Sequence, residues 1–169
     1  MRSKTTILGL LASVVAAVIF MSARPSGSEA DYGFNPGEQL PSVEVEGVRW
    51  LSDLHFDSLS YVVVWSKGDA VSRAVSAWVS RNADNSGAVA YSICLDADKT
   101  DARIISQLDN VSDDTELLGL QTGDVNKRDL RVLKENAEGY LFVVKEGVIQ
   151  KALKTAEVWP LISSGTVIL

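Results

Sequence analysis

The chain reads as an α/β domain in which a mixed β-sheet is flanked by helices, preceded by an N-terminal hydrophobic helix. Three observations carry that prediction. Two continuous apolar runs, Ser60–Trp65 and 88–95, have the β-branched and aromatic make-up of strands buried on both faces. Between them, Val71, Val75, Trp78 and Val79 recur at i, i+4, i+7 and i+8, the period of an amphipathic helix over Ala70–Asn82. A third apolar run, 140–144, meets a Glu146-Gly147 turn and then a further strand-like stretch, 148–153. Strand–helix–strand order implies parallel pairing through a right-handed crossover, and the terminal hairpin adds antiparallel strands to the same sheet.

The remaining elements follow in order. Pro36-Gly37 and Pro41 mark turns, and Val43, Val45 and Val48 alternate with charged residues as in a strand pair turning at Gly47. Residues 51–54 suit a single helical turn. On the helix over Ala70–Asn82, Arg73, Ser76 and Arg81 are expected mostly on the face away from the core. Asp98-Lys99-Thr100 opens a short helix over 101–108, and 116–120 suits a short strand. Residues 124–136 carry Val125, Val132 and Leu133 at helical spacing, and 157–163 suits a closing helix interrupted near Pro160.

Composition excludes several functions. The 169 residues have a formal net charge of −6, and residues 31–169 carry 13 Lys+Arg against 21 Asp+Glu. Nucleic-acid binding needs clustered cations to neutralise phosphate, so none is expected. One cysteine, Cys94, and one histidine, His55, leave no internal disulfide and no ligand set for a Cys/His zinc site. Asp96, Asp98 and Asp101 lack the glycine and closing glutamate of a calcium loop and suit turn formation and helix capping. No metal or cofactor is expected.

At the N-terminus, Arg2 and Lys4 precede an uncharged apolar run from residue 5 to 21. This is the pattern of a signal peptide or of a retained anchor with its basic end in the cytoplasm. The run lies at the lower limit of about 17 residues for a spanning helix. The organisation read from the sequence is an anchor or signal peptide over 1–23, a linker over 24–36 and a folded domain over 37–169. Cleavage after Ala30 would release the domain; retention would anchor it to the membrane. Either way the domain lies outside the cytoplasm.

The segment Val62-Val63-Val64-Trp65-Ser66-Lys67-Gly68-Asp69-Ala70-Val71-Ser72-Arg73 resembles the active-site strand and helix of the membrane-associated thioredoxin-like proteins, which run Phe-Trp-Ala-x-Trp-Cys-x-x-Cys-Arg. The likeness extends over residues 37–153. It includes Gly47-Val48-Arg49-Trp50-Leu51-Ser52-Asp53-Leu54, similar to the family's Gly-x-x-x-x-Leu-Ser-Asp-Leu, and 140–147, similar to its Phe-Leu-Ile-Asp-x-x-Gly hairpin. The resemblance implies a thioredoxin-like sheet and a bacterial periplasmic setting with inner-membrane anchoring, or secretion after cleavage.

The two cysteine positions of the resemblance fall on Asp69 and Ser72. The cis-proline that faces them in active members falls near Glu138 or Gly139, and no proline occurs between Pro41 and Pro160. A non-proline cis peptide costs about 2.5–4 kcal/mol, so a trans loop is expected. Disulfide exchange needs an attacking thiolate and a resolving thiol, so that activity is not expected. Asp69 suits a helix N-cap, where its carboxylate accepts backbone N–H bonds and meets the positive end of the helix dipole.

The function expected is a redox-inactive binding or scaffolding module of the cell envelope, not an enzyme, with an unidentified envelope protein as partner. Gly68, Asp69 and Gly139 are its candidate contact residues. The alternatives are a single-cysteine enzyme of peroxidase or transferase type using Cys94, or an accessory subunit of a membrane complex. Cys94, inside an apolar strand, suits a buried small hydrophobe. Trp50, Trp65 and Trp78 are expected in the core and Trp159 at the surface.

Overall fold

The structure, a computed structural model, describes residues 33–40, 44–45, 48–49, 58–120 and 127–165. The N-terminal hydrophobic segment, most of the linker, the expected turn at 51–54, Trp50 and His55 lie outside the described residues. No helix among the described residues is long and apolar enough to cross a membrane.

The described residues form seven strands and four α-helices. They are β1 (Glu44–Val45), β2 (Val48–Arg49), β3 (Ser60–Trp65), α1 (Ala70–Asn82), β4 (Val89–Cys94), α2 (Lys99–Leu108), β5 (Glu116–Gly119), α3 (Lys127–Asn136), β6 (Tyr140–Lys145), β7 (Val148–Lys154) and α4 (Thr155–Ser163). β1 and β2 form a small antiparallel pair with Val45 opposite Val48. The other five strands form one sheet in the order β5-β4-β3-β6-β7. β3 is central, parallel to β4 and antiparallel to β6. Both crossovers are strand–helix–strand units, β3–α1–β4 and β4–α2–β5, as parallel pairing requires.

All six residues of β3 are buried, which explains its unbroken apolar character. Successive side chains alternate between two cores. Val62 and Val64 join Tyr91, Ile93, Phe142 and Val144 in one core, covered by Leu130 and Leu133 of α3. Tyr61, Val63 and Trp65 join Cys94 and Leu141 in the other. That second core is covered by Val75 and Val79 of α1, Ala102 of α2, and Val158 and Ile162 of α4.

The sheet is tied off at its ends. Glu146 (φ 53°) and Gly147 (φ 75°) both take the left-handed conformation, so two residues suffice to join β6 to β7. Residues 37–40 run along β7, with Ile149 N donating to Glu38 O (2.8 Å) and Leu40 N to Gly147 O (2.9 Å). This strip covers the β7 edge. Phe34 precedes it and is buried against Phe142, ring centroids 5.6 Å apart. The packed domain therefore begins before residue 37, because Phe34 supplies part of its core. Gly119 is required where β5 ends: a Cβ there would lie 2.5 Å from the Asp98 carbonyl.

Two sequence expectations change. α4 begins at Thr155, so Pro160 falls inside the helix, which continues through it with one fewer hydrogen bond. The buried residues of α1 are Ser72, Val75, Ser76, Ala77, Val79 and Ser80, whereas Val71 is 36% exposed. Ser76, expected on the outer face, lies against the sheet because a hydroxyl on β4 is there to meet it.

Candidate functional site at the start of α1

β3 delivers the chain to the site at Trp65, and a tight turn follows. Asp69 N donates to Ser66 O (3.0 Å), and Lys67 N donates to the Asp96 carboxylate (2.8 Å) beyond the neighbouring strand β4. Asp69 is the N-cap of α1: its Oδ1 accepts from Ser72 N at 3.0 Å. This satisfies one of the amide groups that a helix start leaves without an internal partner. Gly68 is exposed, with open space where a side chain would stand.

Ser72 is fully buried and turns inward. Its hydroxyl donates to Asp69 Oδ2 and lies 2.7 Å from Thr155 Oγ1, at the start of α4. Thr155 Oγ1 and Thr155 N both donate to Gly139 O, each at 2.9 Å. Gly139 N donates to Val64 O (3.0 Å), which fastens the loop before β6 to the central strand. Gly139 has φ 78°, a conformation that favours glycine, and a Cβ there would stand 3.8 Å from Asp69 Oδ2 and 4.0 Å from Ser72 Oγ. No peptide bond among the described residues is cis.

Asp69, Ser72 and Gly139 stand together at the start of α1, with Gly68 exposed beside them. Thr155 completes the group and was not singled out by the sequence; it lies 83 residues from Ser72. Two hydroxyl protons serve three oxygen–oxygen contacts. Ser72 gives its proton to the Asp69 carboxylate, so the Thr155 proton is divided between Ser72 Oγ and Gly139 O. These hydrogen bonds join the starts of α1 and α4 to the loop before β6. There is no sulfur at either position to exchange a disulfide. Ser72 also has no access to solvent from which to meet a substrate.

A second polar cluster lies deeper under α1. Trp65 Nε1 donates to Ser92 Oγ on β4 (2.8 Å), and Ser92 Oγ is 2.8 Å from Ser76 Oγ. One turn on, Ser80 Oγ accepts from Ser112 N at 3.0 Å. The signal in the sequence was the spacing Ser72, Ser76, Ser80 at i, i+4 and i+8, which a search for apolar periodicity passes over.

Cys94 stands apart from the first cluster. It is paired with Trp65 across the β3–β4 ladder and is fully buried. Its thiol donates to Asp96 Oδ1 at 3.4 Å. Burial is the main cause pushing its pKa up to about 12, so the thiolate needed for nucleophilic or redox chemistry is scarce at neutral pH.

On the outer side of α1, Arg73 makes a bidentate pair with Asp109, both bonds 2.7 Å, and donates to Lys67 O (3.1 Å). The bond to Asp109 raises the Arg73 pKa further. Arg81 donates to Asn110 O at 3.2 Å. Arg73, Asp109 and Arg81 border a cleft of about 260 Å³ between α1 and Trp159 of α4. No group of His, Cys, Asp or Glu among the described residues could hold a metal ion.

The fold and the substituted cysteine positions define the class: a thioredoxin-like α/β domain without the paired thiols. Solved structures share this fold. A thioredoxin-like protein from Parabacteroides distasonis superposes with a TM-score of 0.55 at 19% identity, over 78% of this chain and 96% of its own. The thioredoxin domain of a thiol-disulfide oxidoreductase from Bacteroides vulgatus gives 0.53 at 17% identity, over 80% of this chain and 100% of its own. A thiol:disulfide interchange protein from Bacteroides sp. gives 0.55 at 16% identity, over 76% and 88%. No protein-family model and no curated protein matches the sequence.

Proposed function

We propose that this protein is a redox-inactive thioredoxin-like module of the bacterial cell envelope that works by binding a partner protein. The observation that carries this reading is the fate of the two cysteine positions. Asp69 caps α1, and Ser72 is buried with its hydroxyl bound to Asp69 and Thr155. The helix start that would stabilise a thiolate stabilises a carboxylate in its place.

The groove around Gly68, Asp69 and Gly139 is the docking place in this reading. It keeps an open rim at Gly68, while its polar atoms hold the frame. The basic-then-apolar N-terminus supports an extracytoplasmic, membrane-anchored location. The fold shared with thiol-disulfide proteins agrees with such a setting.

Two measurements test the reading. The purified chain, given a reductant and a disulfide-bonded protein substrate such as insulin, should show no reduction above the uncatalysed rate. Turnover comparable to an active thioredoxin would refute it. Crosslinking in intact membranes should then trap a partner through residues placed beside Gly68. No adduct from that rim would remove the groove from the proposal.

A further inference from the structure

We propose that the surface formed by α3 and the β6–β7 hairpin rests on an anionic phospholipid bilayer and leaves the α2–β5 side turned toward solvent. This inference rests on the membrane-anchored reading above. The charges are divided across the sheet, in which β5 and β7 are the outer strands. Residues 96–116, which include α2 and β5, hold seven acidic and two basic residues, a net charge of −5. Residues 127–154, which include α3, β6 and β7, hold seven basic and four acidic residues, a net charge of +3. Glu38, in the strip along β7, leaves that side positive.

The cations lie where a flat surface can meet them. Lys127, Arg131 and Lys134 fall at i, i+4 and i+7, one exposed stripe along α3. Arg131 is paired with Glu135 one turn on, but both groups are exposed, and such a pair is weak. Lys145, Lys151 and Lys154 are exposed on the hairpin. The course of the chain brings the same side toward a membrane. Residues 37–40 run along β7 and Phe34 packs on Phe142 of β6, so the chain enters the domain here and not at β5. Residues 22–32 separate the apolar run from Gly33, and those eleven residues can span at most about 40 Å. An anchored domain therefore stays over its own patch of bilayer. Each Lys or Arg near an anionic surface strengthens binding about fivefold, and the same field repels the acidic side.

The test reconstitutes the full chain in vesicles and reads which side meets the headgroups. Gln150→Cys on β7 and Gln107→Cys on α2 replace exposed, uncharged side chains and give two labelling positions, because Cys94 is buried. Each carries a fluorophore, quenched by a lipid with a nitroxide headgroup. On phosphatidylglycerol–phosphatidylcholine vesicles, the label at position 150 should be quenched about fivefold more than that at 107, the bias of one cation at the surface. The difference should shrink in pure phosphatidylcholine, in about 1 M NaCl, where screening acts within about 3 Å, and in the triple variant Lys127→Glu, Arg131→Glu, Lys134→Glu. Equal quenching at the two positions, or a difference that ignores lipid charge and salt, would overturn the inference while leaving the anchor intact. Failure of the full chain to float with pure phosphatidylcholine vesicles would instead remove the anchor, and the inference with it. Should the triple variant misfold, the lipid and salt comparisons on the two singly labelled chains still decide.

Discussion

The two faces of the central sheet are built from different chemistry. Against α3 the core is apolar but for Ser60 and tyrosine hydroxyls, with Phe34, Tyr140 and Phe142 in aromatic contact beside aliphatic side chains. Against α1, α2 and α4 lie all the buried polar side chains of the described residues except Ser60, including Ser72, Ser76, Ser80, Ser92 and Thr155. The first face is held by area removed from water, which is large but non-directional. The second adds directional bonds that fix where α1 sits over β4 and where α4 begins. Both faces bury apolar side chains, whereas the directional bonds are gathered on the second, which also carries the cleft and the exposed apolar residues.

The sharpest break of this contrast is Phe142→Ala. Phe142 is fully buried between Phe34 and Tyr140, and its truncation should cost about 3–5 kcal/mol in chemical denaturation. A cost below that of the polar substitutions would reverse the assignment of the two faces. Ser92→Ala is the matching test on the other face. It leaves the Trp65 indole N–H and the Ser76 hydroxyl without their shared partner and should cost about 1–3 kcal/mol. It should also alter the near-ultraviolet signal of Trp65, which Phe142→Ala need not do.

The smallest effect concerns Cys94. Its folded pKa is raised from 9.0 to about 12, so the folded state keeps a proton that the unfolded chain releases. The stabilisation is complete below about pH 9 and declines toward pH 12, by at most about 1.4 kcal/mol per pH unit. Tyr91, also raised by burial, adds to the same alkaline loss. The comparison is therefore made between the unaltered chain and Cys94→Ala. The variant should lose less stability than the parent between pH 8 and pH 10, by about 1 kcal/mol on the same linkage. Parallel curves would show that the thiol is not held protonated by burial.

Much of this fold was legible beforehand. β3 and α1 are formed by the residues their patterns indicated, because a doubly buried strand must be apolar throughout and a packed helix must repeat every 3.6 residues. The Glu146-Gly147 turn was legible for a similar reason, since few residues accept positive φ. The candidate site was half legible. Asp69 announced itself as a cap through its place before an amphipathic run, and Ser72 through its place in the motif. The inward turn of Ser72 and Ser76 was hidden, because a serine reads as a surface residue unless its partner is known. Those partners, Thr155 and Ser92, lie 83 and 16 residues away.

The sequence alone determined which strands are buried, where α1 starts, and that no second thiol exists for disulfide exchange. These follow from local periodicity, capping and residue identity, which need no knowledge of neighbours. Only the tertiary structure decided that Ser72 turns inward, bonded to Asp69 and to Thr155, which in turn holds the Gly139 carbonyl. It alone also brought Arg81 and Trp159 to one cleft. Both depend on segments distant in the chain that meet only when the helices pack on the sheet, and periodicity within one segment carries no record of what lies opposite it.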